Sequence, residues 1–234
     1  MKNTIPDKTK LVNSVFSKVY RKYDLMNDIM SFGVHRLWKE KFIEWMNPQI
    51  HSKLIDVASG TGDIAKLFSK KNNNTSEIIC IEPNNEMLEE GKKNLKKFEN
   101  IKWKKSQAEQ LPVKDNSFDY YSISYGIRNV TDISKTLKEA YRVLKPGGRF
   151  MCLEFSKIDN EMLNFFYKQY SKTIPLIGKY IVGSSHPYEY LVKSIDEFYT
   201  QNQLIELMID SGFNNTEYRN LSNGISAIHS GWKI

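Results

Sequence analysis

The sequence predicts an α/β protein: a doubly wound, mostly parallel sheet of seven strands with helices on both faces, in one domain of 234 residues. Three observations predict it. Short apolar runs alternate with helical stretches between residues 53 and 156, the first run turns into a glycine-containing loop, LIDVASGTGDIA, and an acid closes the second run.

In residues 7 to 22, Leu11, Val12, Val15, Phe16 and Val19 stand at helical spacing among Lys10, Lys18, Arg21 and Lys22, the pattern of a short amphipathic helix. The polar stretch KYDLMNDIMSFGVHRLWKE follows at 22 to 40, and a second helix is expected from Arg36 to Trp45, stopping before Pro48. Residues 1–50 therefore read as an N-terminal helical cap.

Residues 51–156 read as the cofactor-binding sheet. Its strand candidates are KLIDVA (53–58), EIICIE (77–82), NIKWKK (100–105), FDYYSISY (118–125) and GRFMCLEFS (148–156). Helices are expected from Asp63 to Ser69, from Asn85 to Phe98 behind the polar start at Asn84, and from Asp132 to Leu144, where KPGG reads as a stop. Residues 157–234 read as substrate-side helices, two or three of them, and a final pair of short strands, TEYRN and GISAIHSG.

Lys and Arg number 34 against 27 Asp and Glu, a net charge of +7 concentrated near the N-terminus and in KKNLKKFENIKWKK. So modest an excess reads first as a solvated face, and otherwise as a surface for anionic lipid or nucleic acid. Cys80 and Cys152 lie inside apolar runs as small hydrophobes, which gives no disulfide framework and no metal site and fits a reducing, cytoplasmic compartment. The N-terminus lacks a signal-peptide core, and no window approaches the roughly 20 apolar residues of a membrane span, so the expectation is a soluble or peripheral protein.

Gly60, Gly62 and Ala65 satisfy GxGxxA between a strand and a helix, with Glu82 20 residues beyond Gly62. Both a dinucleotide and another adenosyl cofactor need such a turn and a carboxylate for the ribose. The charges separate them: Asp63 at the helix start and Asp56 on the strand would repel a pyrophosphate but attract the sulfonium and ammonium of S-adenosyl-L-methionine. Asp63 could instead serve only the helix dipole. SQAEQLP, after the third strand, is placed to close over an adenine ring.

VASGTGD with IEPNNEML, QAEQLPVKDNSFD, SYGIRNVTD and YRVLKPGGRF resembles the class I methyltransferases that use S-adenosyl-L-methionine. More narrowly, YDLMNDIMSFGVHRLWK, GIRNVTD, LEFSK and NGISAIHSGWK resemble the ubiquinone/menaquinone biosynthesis C-methyltransferase family, in order from about residue 14 to the C-terminus. The resemblance implies a Rossmann-like sheet whose last strand is antiparallel, under an N-terminal helical lid. It also places Thr61, Glu82, Gln107, Ala108 and Ser124 on cofactor-contacting positions, beside Asp56, Gly60 and Gly62 of the turn. Ser59, Glu82, Pro83 and Gln107 depart from the usual family residues but keep the polar character.

The implied reaction is methylation of a ring carbon of a polyprenylated benzoquinol or naphthoquinol. Such a carbon is nucleophilic only when a hydroxyl pushes electrons into the ring, so the substrate must be the reduced quinol, and the site must align the carbon, stabilise a developing phenolate and let a proton leave. Arg128 and Asn129, at the end of the fourth strand, are the candidates for that work, and the resemblance adds Tyr23 on the substrate side. For Arg128 the competing expectation is a surface ion pair to Asp132. His35 and His186 are the nearest candidate bases.

In KYDLMNDIMSFGVHRLWKE, Tyr23, Asp24, Met26 and Asn27 are expected to face cofactor and quinol, with Met30, Phe32, Leu37 and Trp38 seated on the core. Residues 177 to 198 are read either as cover for the isoprenoid tail or as plain packing. The expected partners are a polyprenyl quinol, with weak membrane-surface association through the basic helix, a quinone-biosynthesis complex and a homodimer as further possibilities. Nucleic acid is not expected, because SYGIRN stands where base-amino methylation needs an Asp/Asn-Pro-Pro-aromatic tetrad. A nicotinamide reductase and a non-catalytic scaffold are the remaining alternatives.

Overall fold

A computed structural model describes residues 33–158, 160–182 and 185–234, together with Val12, Ser17, Asp28, Ile29 and Ser31. The helix expected over 7 to 22 and the residues Tyr23, Asp24, Met26, Asn27, Met30 and Phe32 lie outside these, apart from Val12 and Ser17. The elements run α1 (His35–Met46), β1 (Lys53–Val57), α2 (Asp63–Lys71), β2 (Glu77–Ile81), α3 (Asn85–Asn94), β3 (Ile101–Lys104) and β4 (Phe118–Ser124). A 3-10 turn (Ile127–Asn129), α4 (Ile133–Val143), β5 (Leu144–Phe155), α5 (Glu161–Val182), α6 (His186–Asp196), α7 (Gln201–Asp210), β6 (Asn214–Leu221) and β7 (Ser226–Trp232) follow.

The seven strands form one sheet in the order β3-β2-β1-β4-β5-β7-β6. β1 to β5 pair in parallel, whereas β7 is antiparallel to both β5 and β6. Strand order reverses between β1 and β4, so the loops leaving their C-terminal ends diverge and open a crevice there.

Apolar side chains fill both faces, as near-continuous runs such as FMCLEF require. Trp38 and Phe42 of α1, Phe68 of α2, Ile174 of α5 and Leu191 of α6 pack with Tyr120 on one face. Leu137 of α4 and Leu204 and Met208 of α7 pack with Tyr121 and Phe150 on the other. Adjacent β4 tyrosines thus serve opposite cores, the two-residue period of a strand.

Three expectations need correction. Leu37 is 57% exposed, because α1 buries His35, Trp38, Lys39, Phe42, Ile43 and Met46, and Leu37 falls between those phases. α3 ends at Asn94 rather than reaching Phe98: Leu95 caps it, and a turn closed by Phe98 N–H donating to Leu95 O swings the chain into β3. KPGG follows the end of α4 at Val143, as expected of a stop, but the fifth strand begins at Leu144 rather than Gly148: KPGG belongs to the bulged start of β5, where Gly147 N–H donates to Lys233 O (2.7 Å) and Lys233 N–H to Gly148 O (3.0 Å).

Candidate active site

Two adjoining hollows open at the crevice and share Ala58, Gly60 and Tyr125. The larger, an open space of about 680 Å³, is lined by Glu82, Asn84, Gln107, Ala108 and Asn129 among others. The smaller is lined by Lys39, Asp56, Ser59, Thr61, Asp63 and Ser124 among others. Asp56, Gly60, Thr61, Glu82, Gln107, Ala108 and Ser124 therefore lie together around one continuous space.

The turn after β1 is built by local hydrogen bonds. Ser59 Oγ donates to Asp56 O (2.6 Å), and Gly62 N–H donates to Ser59 O (2.9 Å). Gly60 takes φ +58° and donates its N–H to Glu82 Oε2 (2.9 Å), while Asn84 N–H donates to Glu82 Oε1 (2.9 Å). Glu82 is thus clamped at the end of β2 beside the turn. Burial raises its pKa to about 7, the two N–H donors acting against that.

Gly62 has a different task. It lines neither hollow, and a Cβ there would lie 2.5 Å from Leu95 Cδ1 and 3.0 Å from Trp103 Cζ2, at φ +90°. Its lack of a side chain lets the start of α2 rest on β3 and the residues after α3, so this glycine shapes the turn from behind.

Asp56 is buried on β1, and its Oδ1 accepts from the Ser122 hydroxyl (2.6 Å). Its Oδ2 and the Ser124 hydroxyl have no hydrogen-bond partner among the described residues, although both residues line the smaller hollow. Burial pushes the Asp56 carboxyl up to about 7. A buried carboxylate with a spare oxygen facing a hollow is the complement of a cationic ligand, so the donor set fits an adenosyl cofactor carrying a sulfonium and an ammonium.

Lys39, which the sequence reading did not single out, reaches from α1 into the same hollow and donates to Asp63 Oδ2 at 2.6 Å. Burial alone would raise the Asp63 pKa, but the Lys39 ammonium, by charge and by hydrogen bond, holds it below the usual carboxylate range. Asp63 is accordingly an anion already paired to a cation.

Arg128 is buried, and its partner is Glu154 of β5 rather than Asp132: the Nη1–Oε1 distance is 2.5 Å and both side chains are 1% exposed. Asp132 instead caps α4, accepting from Lys135 N–H (3.0 Å). Arg128 Nη1 also donates to Tyr125 O (2.9 Å), and its guanidinium lies 5.6 Å from the centre of the Phe155 ring. Asn129 lines the larger hollow, donates through Nδ2 to Tyr125 O (3.3 Å) and accepts from the Tyr190 hydroxyl of α6 (3.0 Å).

His35 is buried at the start of α1, with Nε2 3.0 Å from Asp28 Oδ1, and burial followed by the nearby Lys39 charge lowers its pKa. His186 is exposed at the start of α6. Tyr23 lies outside the described residues. Of the cap, Val12 lines the larger hollow and Ser17 Oγ accepts from Asn84 Nδ2 (3.0 Å), which brings part of the N-terminal segment to the mouth of the site.

Residues 3–233 match the ubiE/COQ5 methyltransferase family. The chain is 53% identical over 235 residues, 97% of this chain and 94% of the other, to the ubiquinone/menaquinone biosynthesis C-methyltransferase UbiE of Rickettsia bellii (strain OSU 85-389). The protein of that name from Rickettsia prowazekii (strain Madrid E) is 53% identical over 231 residues, covering 96% of this chain and 93% of that one. Among solved structures, an S-adenosylmethionine-dependent methyltransferase of Thermotoga maritima, described as a possible histamine N-methyltransferase, superposes with a TM-score of 0.67 at 23% identity, covering 95% of this chain and 100% of that one. A phosphoethanolamine N-methyltransferase 2 of Haemonchus contortus in complex with S-adenosyl-L-methionine gives a TM-score of 0.61 at 13% identity, covering 84% of this chain and 52% of that one. By the family match and by these identities, the chain belongs to the ubiE/COQ5 methyltransferase family.

Proposed function

We infer that the protein methylates a ring carbon of a quinol precursor in ubiquinone or menaquinone biosynthesis, with S-adenosyl-L-methionine as the methyl donor. The observation that carries the reading is the meeting of two unlike half-sites at the end of β4: an acidic hollow suited to a cationic cofactor, and Asn129 backed by the buried Arg128. When bound, the cofactor supplies an electrophilic methyl group.

Asp56, Gly60, Thr61, Glu82, Gln107, Ala108 and Ser124 would hold that cofactor. Asn129, lining the hollow, offers its amide to a ring hydroxyl, and Tyr23 is assigned to the same side by family resemblance. Arg128, held by Glu154, donates to the same Tyr125 carbonyl as the Asn129 amide, and so fixes the backbone that presents Asn129 to the hollow. Because the nucleophile is a hydroxyl-activated carbon, the reduced ring is the substrate.

A polyprenyl tail resides in lipid, and the protein must reach it there. No helix among the described residues is long and apolar enough to cross a membrane. α5 nevertheless exposes Met162, Phe165, Phe166, Leu176 and Tyr180, a face suited to shallow contact with a bilayer surface.

Methyl transfer to reduced demethylated naphthoquinol and benzoquinol, followed with a labelled methyl donor, tests the reading. Label is expected in the reduced ring and not in the oxidised quinone, and equal labelling of both would overturn it.

A further inference from the structure

The smaller hollow contains one charge that neither the motif nor the mechanism uses. Lys39 is 6% exposed, in the same α1 phase as Phe42, Ile43 and Met46, and sits next to the core tryptophan, Trp38. An apolar side chain would pack there without the cost of desolvating an ammonium, and a helix-to-helix staple needs no buried charge. Its stem is covered while its head reaches the hollow lined by Asp56, Thr61, Asp63 and Ser124.

The neighbouring groups describe the missing ligand. Asp63 holds one side of the ammonium at 2.6 Å, yet its own side chain is 42% exposed. Across the hollow, Asp56 Oδ2 is buried without a hydrogen-bond partner among the described residues. The hollow thus presents one cation and two carboxyl groups, the complement of a small zwitterion whose ammonium can meet the acids and whose carboxylate can meet the lysine. The adenosyl end of the cofactor belongs in the adjoining hollow, by Glu82 and Ala108, and Gly60 is shared by both.

We propose that Lys39 binds the carboxylate of the methionine end of the cofactor, with Asp63 and Asp56 receiving its ammonium. Lys39 and Asp63 then act as a preassembled ion pair that exchanges part of its mutual contact for the ligand's opposite charges. The motif acids alone favour any cationic adenosyl compound, whereas Lys39 selects one that keeps its amino-acid carboxylate. This inference rests on the cofactor alone and is independent of which ring is methylated.

The test compares two ligands by calorimetry: S-adenosylhomocysteine and its decarboxylated counterpart, which keeps the adenosyl group and the amine. Wild type is expected to prefer the first by about tenfold or more, the size of a charge-assisted hydrogen bond. Lys39→Met should remove that preference by weakening S-adenosylhomocysteine while leaving the decarboxylated ligand within about twofold, and Lys39→Arg should restore most of it. No preference in wild type, or an equal loss for both ligands in Lys39→Met, would leave Lys39 as a staple and overturn the proposal. If Lys39→Met does not melt cooperatively, Lys39→Gln replaces it under the same criteria. A failure of quinol methylation would leave these binding results unchanged, so the two readings fail separately.

Discussion

The two proposed halves of the site open at the C-terminal ends of the same central strands but are built differently. The cofactor half uses residues close in sequence, from Asp56 to Asp63, completed by Glu82, and it keeps unpaired polar atoms facing the hollow. The substrate half uses side chains locked to each other over distance: Arg128 to Glu154 across 26 residues, and Asn129 to Tyr190 across 61. A buried carboxyl such as Asp56 can shed its charge by taking up a proton, but a buried guanidinium cannot. Arg128 therefore carries its counter-charge permanently.

The sharpest way to break this contrast is to remove the buried pair. Arg128→Ala strands a buried Glu154 and should cost about 3–5 kcal/mol of stability in denaturant titration. The double variant Arg128→Met with Glu154→Met should recover much of that stability and bind cofactor, yet still fail to methylate. Activity in the folded double variant would remove the pair from the mechanism.

Gly62→Ala tests the other half. The left-handed backbone and the approach to Leu95 and Trp103 should together cost about 3 kcal/mol, with weaker cofactor binding, although no ligand-contacting side chain has changed. An alanine variant as stable as wild type would show that the turn has room to relax.

Proton linkage distinguishes the halves without mutation. Asp56 and Glu82 have folded pKa values raised to about 7, above those of an unfolded chain, so their contribution to stability is present at low pH and is lost as pH rises through about 7. A cationic ligand favours their ionised forms. Cofactor affinity should therefore rise from about pH 6 to about pH 8, and the cofactor-induced rise in melting temperature should be larger at the higher value. A flat affinity profile would mean that both acids are already ionised.

The smallest effect expected is from Tyr190→Phe, which removes one hydrogen bond to Asn129. It should lower kcat about fivefold, the equivalent of about 1 kcal/mol, with the KM for cofactor unchanged. A change in cofactor KM instead would place Tyr190 with the other half.

What the sequence made legible follows the same division. GTGDIA, the acid after the second strand and the strand runs are local patterns, and they lie where the pattern put them except that β5 begins at Leu144 instead of Gly148. Glu154 was visible only as an acid inside FMCLEF, a run otherwise read for its apolar character. Its partner could not be read from spacing, since the pairing depends on the turn after β4 folding back over β5. Lys39 was hidden by its type: lysine on an amphipathic helix normally faces water, and only the packing of α1 on α2 shows that this one does not. Leu37 failed for the converse reason, an apolar residue assigned to the core without regard to helical phase.

The insertion of β7 between β5 and β6 bears on when the protein becomes an enzyme. β5 carries Glu154, and among the described residues its outer edge is paired along Arg149 to Phe155 by β7. During synthesis that edge stays open until Ser226–Trp232 emerge, so the parallel strands can be in place while the floor beneath Arg128 is still incomplete. Removing Ser226–Trp232 would then leave the turn after β1 and Glu82 in place beside an aggregation-prone edge.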